Sequence, residues 1–187
     1  MTHTRNSLMS SRVLELGSGV GFLGIIIAQL QIGSPSLNPN DDIPKMSRVS
    51  LYLTDSNAQV LSRCKNNINL PCNGLLSHKS LRLSRLDWTD AQDDNRLPGM
   101  LDLLHEIDAD LIIGADLIYD LEVIPALIAV LKLALQIPTP NLSHHKKKAI
   151  IAATIRNEKT LATFISQARD AGLDVDEQEI IQSTVFS

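Results

Sequence analysis

The sequence predicts an α/β domain built on a mainly parallel sheet. Three observations point there. Short apolar runs alternate with longer helical stretches along the chain, which is the order of strand–crossover–strand units. The first run ends in the glycine-rich segment Gly17-Ser18-Gly19-Val20-Gly21. Polar residues then recur just past the ends of successive runs, where open parallel sheets bind their ligands.

Taken in order, Arg12 to Leu16 is a short apolar run closed by glycines and reads as the first strand. Phe22 to Leu30 is apolar and of helical length. Val49 to Thr54 reads as the second strand. Leu61, Cys64 and Ile68 share one helical face, which predicts a helix over Asn57 to Asn69. Ser80 to Leu86 alternates Leu81 and Leu83 with Arg82 and Ser84 and reads as the third strand. Asp110 to Gly114 is the fourth. Leu121 to Gln136 is a helix with Ile124, Leu127, Ile128, Leu131 and Leu135 on its face. Ala149 to Ile155 is the fifth strand, and Glu158 to Ala171 is a helix closed by Gly172. Leu173 to Ile181 is the candidate sixth strand. Gly33 to Ser47, with Pro35, Pro39 and Pro44, and Thr139 to Lys148 read as loops inside one domain.

The bulk numbers agree with one domain, 1–187, with its core over 12–181. Its 187 residues are 44% hydrophobic, with a net charge of −4, so neither a nucleic-acid nor a membrane partner is expected. The His144-His145-Lys146-Lys147-Lys148 run reads as a solvated loop. No apolar stretch approaches the roughly 20 residues that span a bilayer. Cys64 and Cys72 match no zinc or redox spacing. The opening residues read as carrying no secretory leader, so a cytoplasmic setting with reduced thiols is expected. No metal site is expected.

The strand ends carry the chemistry. Glu15 precedes the glycine turn, where backbone can approach a ligand closely and the next helix aims its first amides into the same space. Gly19-x-Gly21-x-x-Gly24 also satisfies the dinucleotide fingerprint. Asp55 follows the second strand and can accept from two ribose hydroxyls; the plainer alternative is a helix N-cap, from Asp55 or Ser56. Asp87 and Trp88 follow the third strand, where an acid can accept from an adenine amino group. For Trp88 the alternative is an ordinary half-buried aromatic. Asp116 and Tyr119 follow the fourth strand, in Ala115-Asp116-Leu117-Ile118-Tyr119-Asp120; Asp116 or Asp120 could also cap the next helix.

Together these stretches resemble a known family. Glu15-Leu16-Gly17-Ser18-Gly19-Val20-Gly21 resembles the first motif of class I, seven-strand S-adenosylmethionine-dependent methyltransferases. Leu86-Asp87-Trp88 and Ala115-Asp116-Leu117-Ile118-Tyr119 resemble later motifs of small protein-lysine methyltransferases with an Asp-x-x-Tyr signature. Ala152 to Thr160 is similar to the Thr-x-Arg-Asn-x-x-Thr stretch of the elongation factor 2 lysine methyltransferase family. The resemblance runs from Val13 to Asp176. It implies a three-layer Rossmann-like fold with S-adenosylmethionine as donor and a protein lysine, on elongation factor 2, as acceptor. It implies that Glu15, Gly17, Ser18 and Gly19 line the methionine part of the donor, that Asp55 holds the ribose, and that Asp87 and Trp88 meet the adenine. Ala115 and Asp116 are then near the methyl group, with Tyr119 beside the lysine. Against the family pattern this chain is expected to be cut short at both ends, without the seventh strand, and to act as a monomer. Two alternatives stay open at this point: an NAD-dependent oxidoreductase, and a truncated donor-binding domain without turnover.

Overall fold

The computed structural model describes residues 12–32, 51–74, 81–138 and 146–178. Five strands, β1 (Val13–Leu16), β2 (Leu51–Asp55), β3 (Leu81–Arg85), β4 (Leu111–Ala115) and β5 (Lys148–Ala152), form one sheet in the order β3-β2-β1-β4-β5. Every pairing is parallel. Five helices connect and flank them: α1 (Phe22–Ile32), α2 (Ala58–Ile68), α3 (Leu97–Ile107), α4 (Ile124–Gln136) and α5 (Glu158–Asp170).

The period-two alternation of a strand divides the interior into two cores. Leu14 and Leu16 of β1 point to one face and pack with Ile112, Met100, Leu104, Leu127 and Phe164, which brings in α3, α4 and α5. Val13 points to the other face and packs with Ile27, Leu51, Cys64 and Ile113, which brings in α1 and α2. The result is the expected three-layer α/β arrangement. Burying side chains such as Leu14 and Ile112, each worth about 1.5–3 kcal/mol, holds the two helix layers onto the sheet.

The strands and most helices fall within a few residues of their expected places. Asn57, not Asp55 or Ser56, caps α2: its side chain accepts from the amides of Gln59 and Val60. β5 ends at Ala152, three residues short of the expected Ile155. Residues 173–178 form no strand, and the remainder of the candidate sixth strand, 179–181, lies outside the described residues. So do Val49, Ser50 and Ser80, the Pro35–Pro44 loop and residues 139–145. One helix had no counterpart in the sequence reading. α3 opens on Leu97-Pro98-Gly99, and its inward face is Met100, Leu104 and Ile107. Proline is welcome in a first helical turn, but Pro-Gly also reads as a turn and hides the short apolar period behind it.

The chain order decides where a ligand crevice forms. From β1 the sheet grows outward through β2 to β3, then returns to place β4 on the other side of β1. The carboxyl ends of β1 and β4 therefore flank the topological switch point, the usual crevice of open α/β sheets.

Candidate active site at the switch point

The glycine turn after β1 is fixed from the side of β2. The Ser18 amide donates to the Thr54 carbonyl at 2.8 Å, and the Gly19 amide donates to Asp55 Oδ2 at 3.1 Å. Asp55 Oδ1 accepts from the Asn57 amide at 2.9 Å. Asp55 thus ties the turn to the β2 end, and each oxygen keeps accepting capacity for a ligand. The buried Thr54 hydroxyl, which sequence reading missed, donates to the Glu15 carbonyl at 2.6 Å.

Two glycines of the turn differ in what they face. Gly17 and Gly19 both lie in the left-handed region, at φ +58° and +55°. A methyl on Gly17 would lie 2.7 Å from Leu117 Cδ2 and 3.4 Å from Trp88 Cζ2. Gly17 is therefore a packing requirement, which joins the first, third and fourth strand ends. A methyl on Gly19 would meet nothing within 4 Å, so Gly19 presents bare backbone to open space. Gly24 explains the dinucleotide-like spacing without a dinucleotide. A methyl there would lie 2.3 Å from Leu53 Cδ2 and 2.7 Å from Glu15 Oε2, so this glycine lets α1 approach the sheet.

Glu15 is the unusual residue of the site. It is 2% exposed, on the same face of β1 as Val13. Its Oε2 is buried and has no hydrogen-bond partner. Burial pushes its carboxyl up to about 8, against the opposing pull of the Gly24 amide. The buried Ser18 hydroxyl likewise reaches no nitrogen or oxygen partner; its neighbour is the Cys64 thiol, itself pushed up to about 11 by burial and then by Glu15. A thiol so far from ionisation is no nucleophile. A buried carboxyl oxygen without a donor costs free energy unless something supplies one. The unpartnered Oε2 lies against Gly24 of α1, where a methyl would come within 2.7 Å of it.

At the β3 end, Asp87 caps a short 3-10 turn over Trp88–Gln92. Its Oδ1 accepts from the Thr89 amide and hydroxyl at 3.1 and 2.7 Å, and its Oδ2 from Arg85 at 3.3 Å. Trp88 is half-buried, packed on the core, with its ring edge toward Gly17.

At the β4 end, Ala115 is exposed and the chain turns sharply at Asp116, a non-glycine residue at φ +55°. That turn drives Leu117 inward against Gly17 and Gly114 and leaves Tyr119 65% exposed at the rim. Neither Asp116 nor Asp120 caps α4, which begins without a side-chain cap. Asp116 instead reaches to the loop after β5. Its Oδ1 accepts from the Thr154 amide and its Oδ2 from the Arg156 guanidinium, both at 3.0 Å. The Thr154 amide and then Arg156 hold its carboxyl below the usual carboxylate range.

Sequence relatives identify the family. A family model described as lysine methyltransferase matches residues 1–170. The chain is 29% identical over 167 residues to protein-lysine N-methyltransferase EFM3 of Chaetomium thermophilum, covering 88% of this chain and 41% of that protein. It is 27% identical to the EFM3 of Saccharomyces cerevisiae, covering 86% and 39%. It is also 27% identical to protein-lysine N-methyltransferase EEF2KMT of Homo sapiens, covering 86% and 43%. The chain thus spans about two fifths of the length of these relatives. Nothing in this set supports the oxidoreductase alternative, and Gly24, the last glycine of the fingerprint, is accounted for by packing. The sheet order, the glycine turn and the family match together show that this chain belongs to the lysine methyltransferase family, whose members depend on S-adenosylmethionine.

Proposed function

We propose that this chain binds S-adenosylmethionine in the β1–β4 crevice and passes its methyl group to a protein lysine. The observation that carries the reading is Glu15, a buried carboxyl at the end of β1 with one oxygen unpartnered beside Gly24 of α1. The ammonium of the donor's methionine end supplies the missing donor. A dinucleotide would instead set its pyrophosphate over the same turn, next to an acid. The bound donor offers an electrophilic methyl on a sulfonium sulfur. Around it, Gly17, Ser18 and Gly19 form the wall of the methionine end, Asp55 accepts from the ribose, and Asp87 with Trp88 borders the adenine. Ala115 and Asp116 flank the reacting methyl, and Tyr119 orients the acceptor amine.

Catalysis here is largely positioning. The amine lone pair forms the new N–C bond as the methyl–sulfur bond breaks, and the ammonium proton leaves to solvent. The amine must first be neutral, whereas a free lysine titrates near 10.4. Partial desolvation in the crevice favours the neutral form.

Elongation factor 2 is the acceptor we infer, on the likeness of Thr154–Thr160 to that methyltransferase group and the similarity to EEF2KMT. The acting species is taken as a cytoplasmic monomer folded as one domain, a setting that keeps the free thiols of Cys64 and Cys72 reduced. The test has two arms. Calorimetry should show binding of S-adenosylhomocysteine and none of NAD. Methyl-labelled donor, incubated with the protein and an extract from cells lacking the enzyme, should label elongation factor 2 on lysine. Label confined to small molecules or nucleic acid contradicts the lysine reading; label on another protein's lysine contradicts only the named acceptor.

A further inference from the structure

We propose that Arg156 is a positioning residue for the acceptor amine, acting through Asp116. The inference rests on the lysine reading above and deepens it. A carboxylate beside a lysine presents a conflict. It can orient the amine by accepting a hydrogen bond, but its charge also stabilises the ammonium and so withholds the lone pair. The geometry around Asp116 removes the conflict. Arg156 brings a full positive charge to Oδ2, and the Thr154 amide occupies one position on Oδ1, each at 3.0 Å. Each oxygen retains a second lone pair. The carboxylate stays able to accept while its charge is compensated.

Stability does not account for this arrangement. The Arg156 and Asp116 side chains are 72% and 50% exposed, and exposed ion pairs contribute about 0–1 kcal/mol. The backbone of Asp116 meanwhile sits at φ +55°, a conformation that costs a non-glycine residue on the order of 1–3 kcal/mol. A third contact holds it there, from the Asp116 amide to the Ala152 carbonyl at 2.8 Å. Strain at one rim residue, with its backbone bound to the end of β5 and both oxygens to the loop that follows, marks an aimed side chain. Among the described residues, these ionisable groups lie along the segments that carry and hold it, with Tyr119 three residues on. Arg156 meets it from the loop after β5, and Glu158 and Lys159 follow at the start of α5. Asp120 and Glu122 follow on its own loop, where the Asp120 carboxyl accepts from the Glu122 amide.

The test compares the wild type with Arg156→Gln and Arg156→Lys. Two readouts are taken: methyl transfer from labelled donor to protein lysines of a cell extract at pH 7 and pH 9, and titration of the Asp116 carboxyl by NMR in the ligand-free protein. Uncompensated, Asp116 should raise the acceptor's proton affinity by about half a pKa unit, an about threefold smaller neutral fraction. Arg156→Gln is therefore expected to lower transfer by a similar factor, about threefold, at pH 7 and at pH 9, since both lie below the roughly 10.4 of a free lysine. Arg156→Lys should restore most of it. The Asp116 carboxyl should titrate higher in Arg156→Gln, and S-adenosylhomocysteine affinity should stay within about twofold, since Arg156 meets Asp116 rather than the glycine turn. Transfer unchanged by Arg156→Gln, or lowered equally by Arg156→Gln and Arg156→Lys, overturns the inference and leaves the lysine reading standing. A wild type that binds S-adenosylhomocysteine but labels no protein lysine at either pH overturns the lysine reading, and the inference with it.

Discussion

The most buried acid at one end of the sheet and the most buried acid at the other are treated in opposite ways. At the amino ends, Asp108 is 7% exposed and is bonded on both oxygens, by Arg12 and by Lys147. The Arg12 amide donates to Asp110 Oδ2 at 2.9 Å. Each acid there is matched by a cation or an amide, and the cluster locks β1, β4 and the approach to β5 together. At the carboxyl ends, Glu15 is more deeply buried and keeps one oxygen without a donor. A saturated cluster serves the fold. An unsaturated one costs the fold free energy and signals that a ligand completes it.

Substitutions can break that contrast or sharpen it. The largest effect is expected at the saturated end. Asp108→Asn keeps a residue that tolerates the observed φ of +39° but strands two cations, with Lys147 7% exposed. Denaturant unfolding should show a loss of about 3 kcal/mol, with S-adenosylhomocysteine affinity of the folded protein unchanged. A comparable loss of affinity would mean that the two ends are not separate.

Asp55→Ala tests a residue that does both jobs. Loss of ribose hydrogen bonds should weaken donor binding by about 1.5–3 kcal/mol. Loss of the contacts to the Gly19 and Asn57 amides should lower stability by about 1 kcal/mol. A stability loss with affinity untouched would reduce Asp55 to a strut. Tyr119→Phe is the mildest. The residue is 65% exposed, so stability should move by no more than about 0.5 kcal/mol. Methyl transfer should fall more than donor affinity, measured on the same preparation; equal falls would move Tyr119 to the donor.

The contrast between the ends also shows what the sequence could disclose. Strands were legible because Val13–Leu16 and Leu111–Ala115 are short apolar runs bounded by polar or glycine residues. The acids at the strand ends were legible because the alternation of elements places Glu15, Asp55, Asp87 and Asp116 at one edge. Their partners were not. Gly19 and Asp55 are 36 positions apart, and Asp116 and Arg156 are 40; no local period links such pairs. Nor could local chemistry separate Gly17, packed on Leu117, from Gly19, facing open space. Gly17→Val therefore tests packing, while Gly19 is the position that tests backbone approach to the donor.

The central claim is that Glu15 awaits the donor's ammonium, and its titration gives the most direct test. Its carboxyl is raised from 4.5 to about 8. Below pH 4.5 both folded and unfolded chains hold the proton. Between there and about pH 8 the unfolded chain gives it up and the folded one keeps it, so Glu15's contribution to stability is lost as pH rises. An ammonium placed against Glu15 reverses this preference, because the paired acid favours the charged form. Calorimetry of S-adenosylhomocysteine binding from pH 6 to pH 9, in buffers of different ionisation enthalpy, should show a proton released on binding at pH 7. Affinity should rise with pH from 6 towards about 8 and fall again as the ligand's own ammonium loses its proton. The release and the rise should both vanish in Glu15→Gln, which should also bind more weakly. Affinity independent of pH, no proton release, or an unimpaired Glu15→Gln would contradict the account.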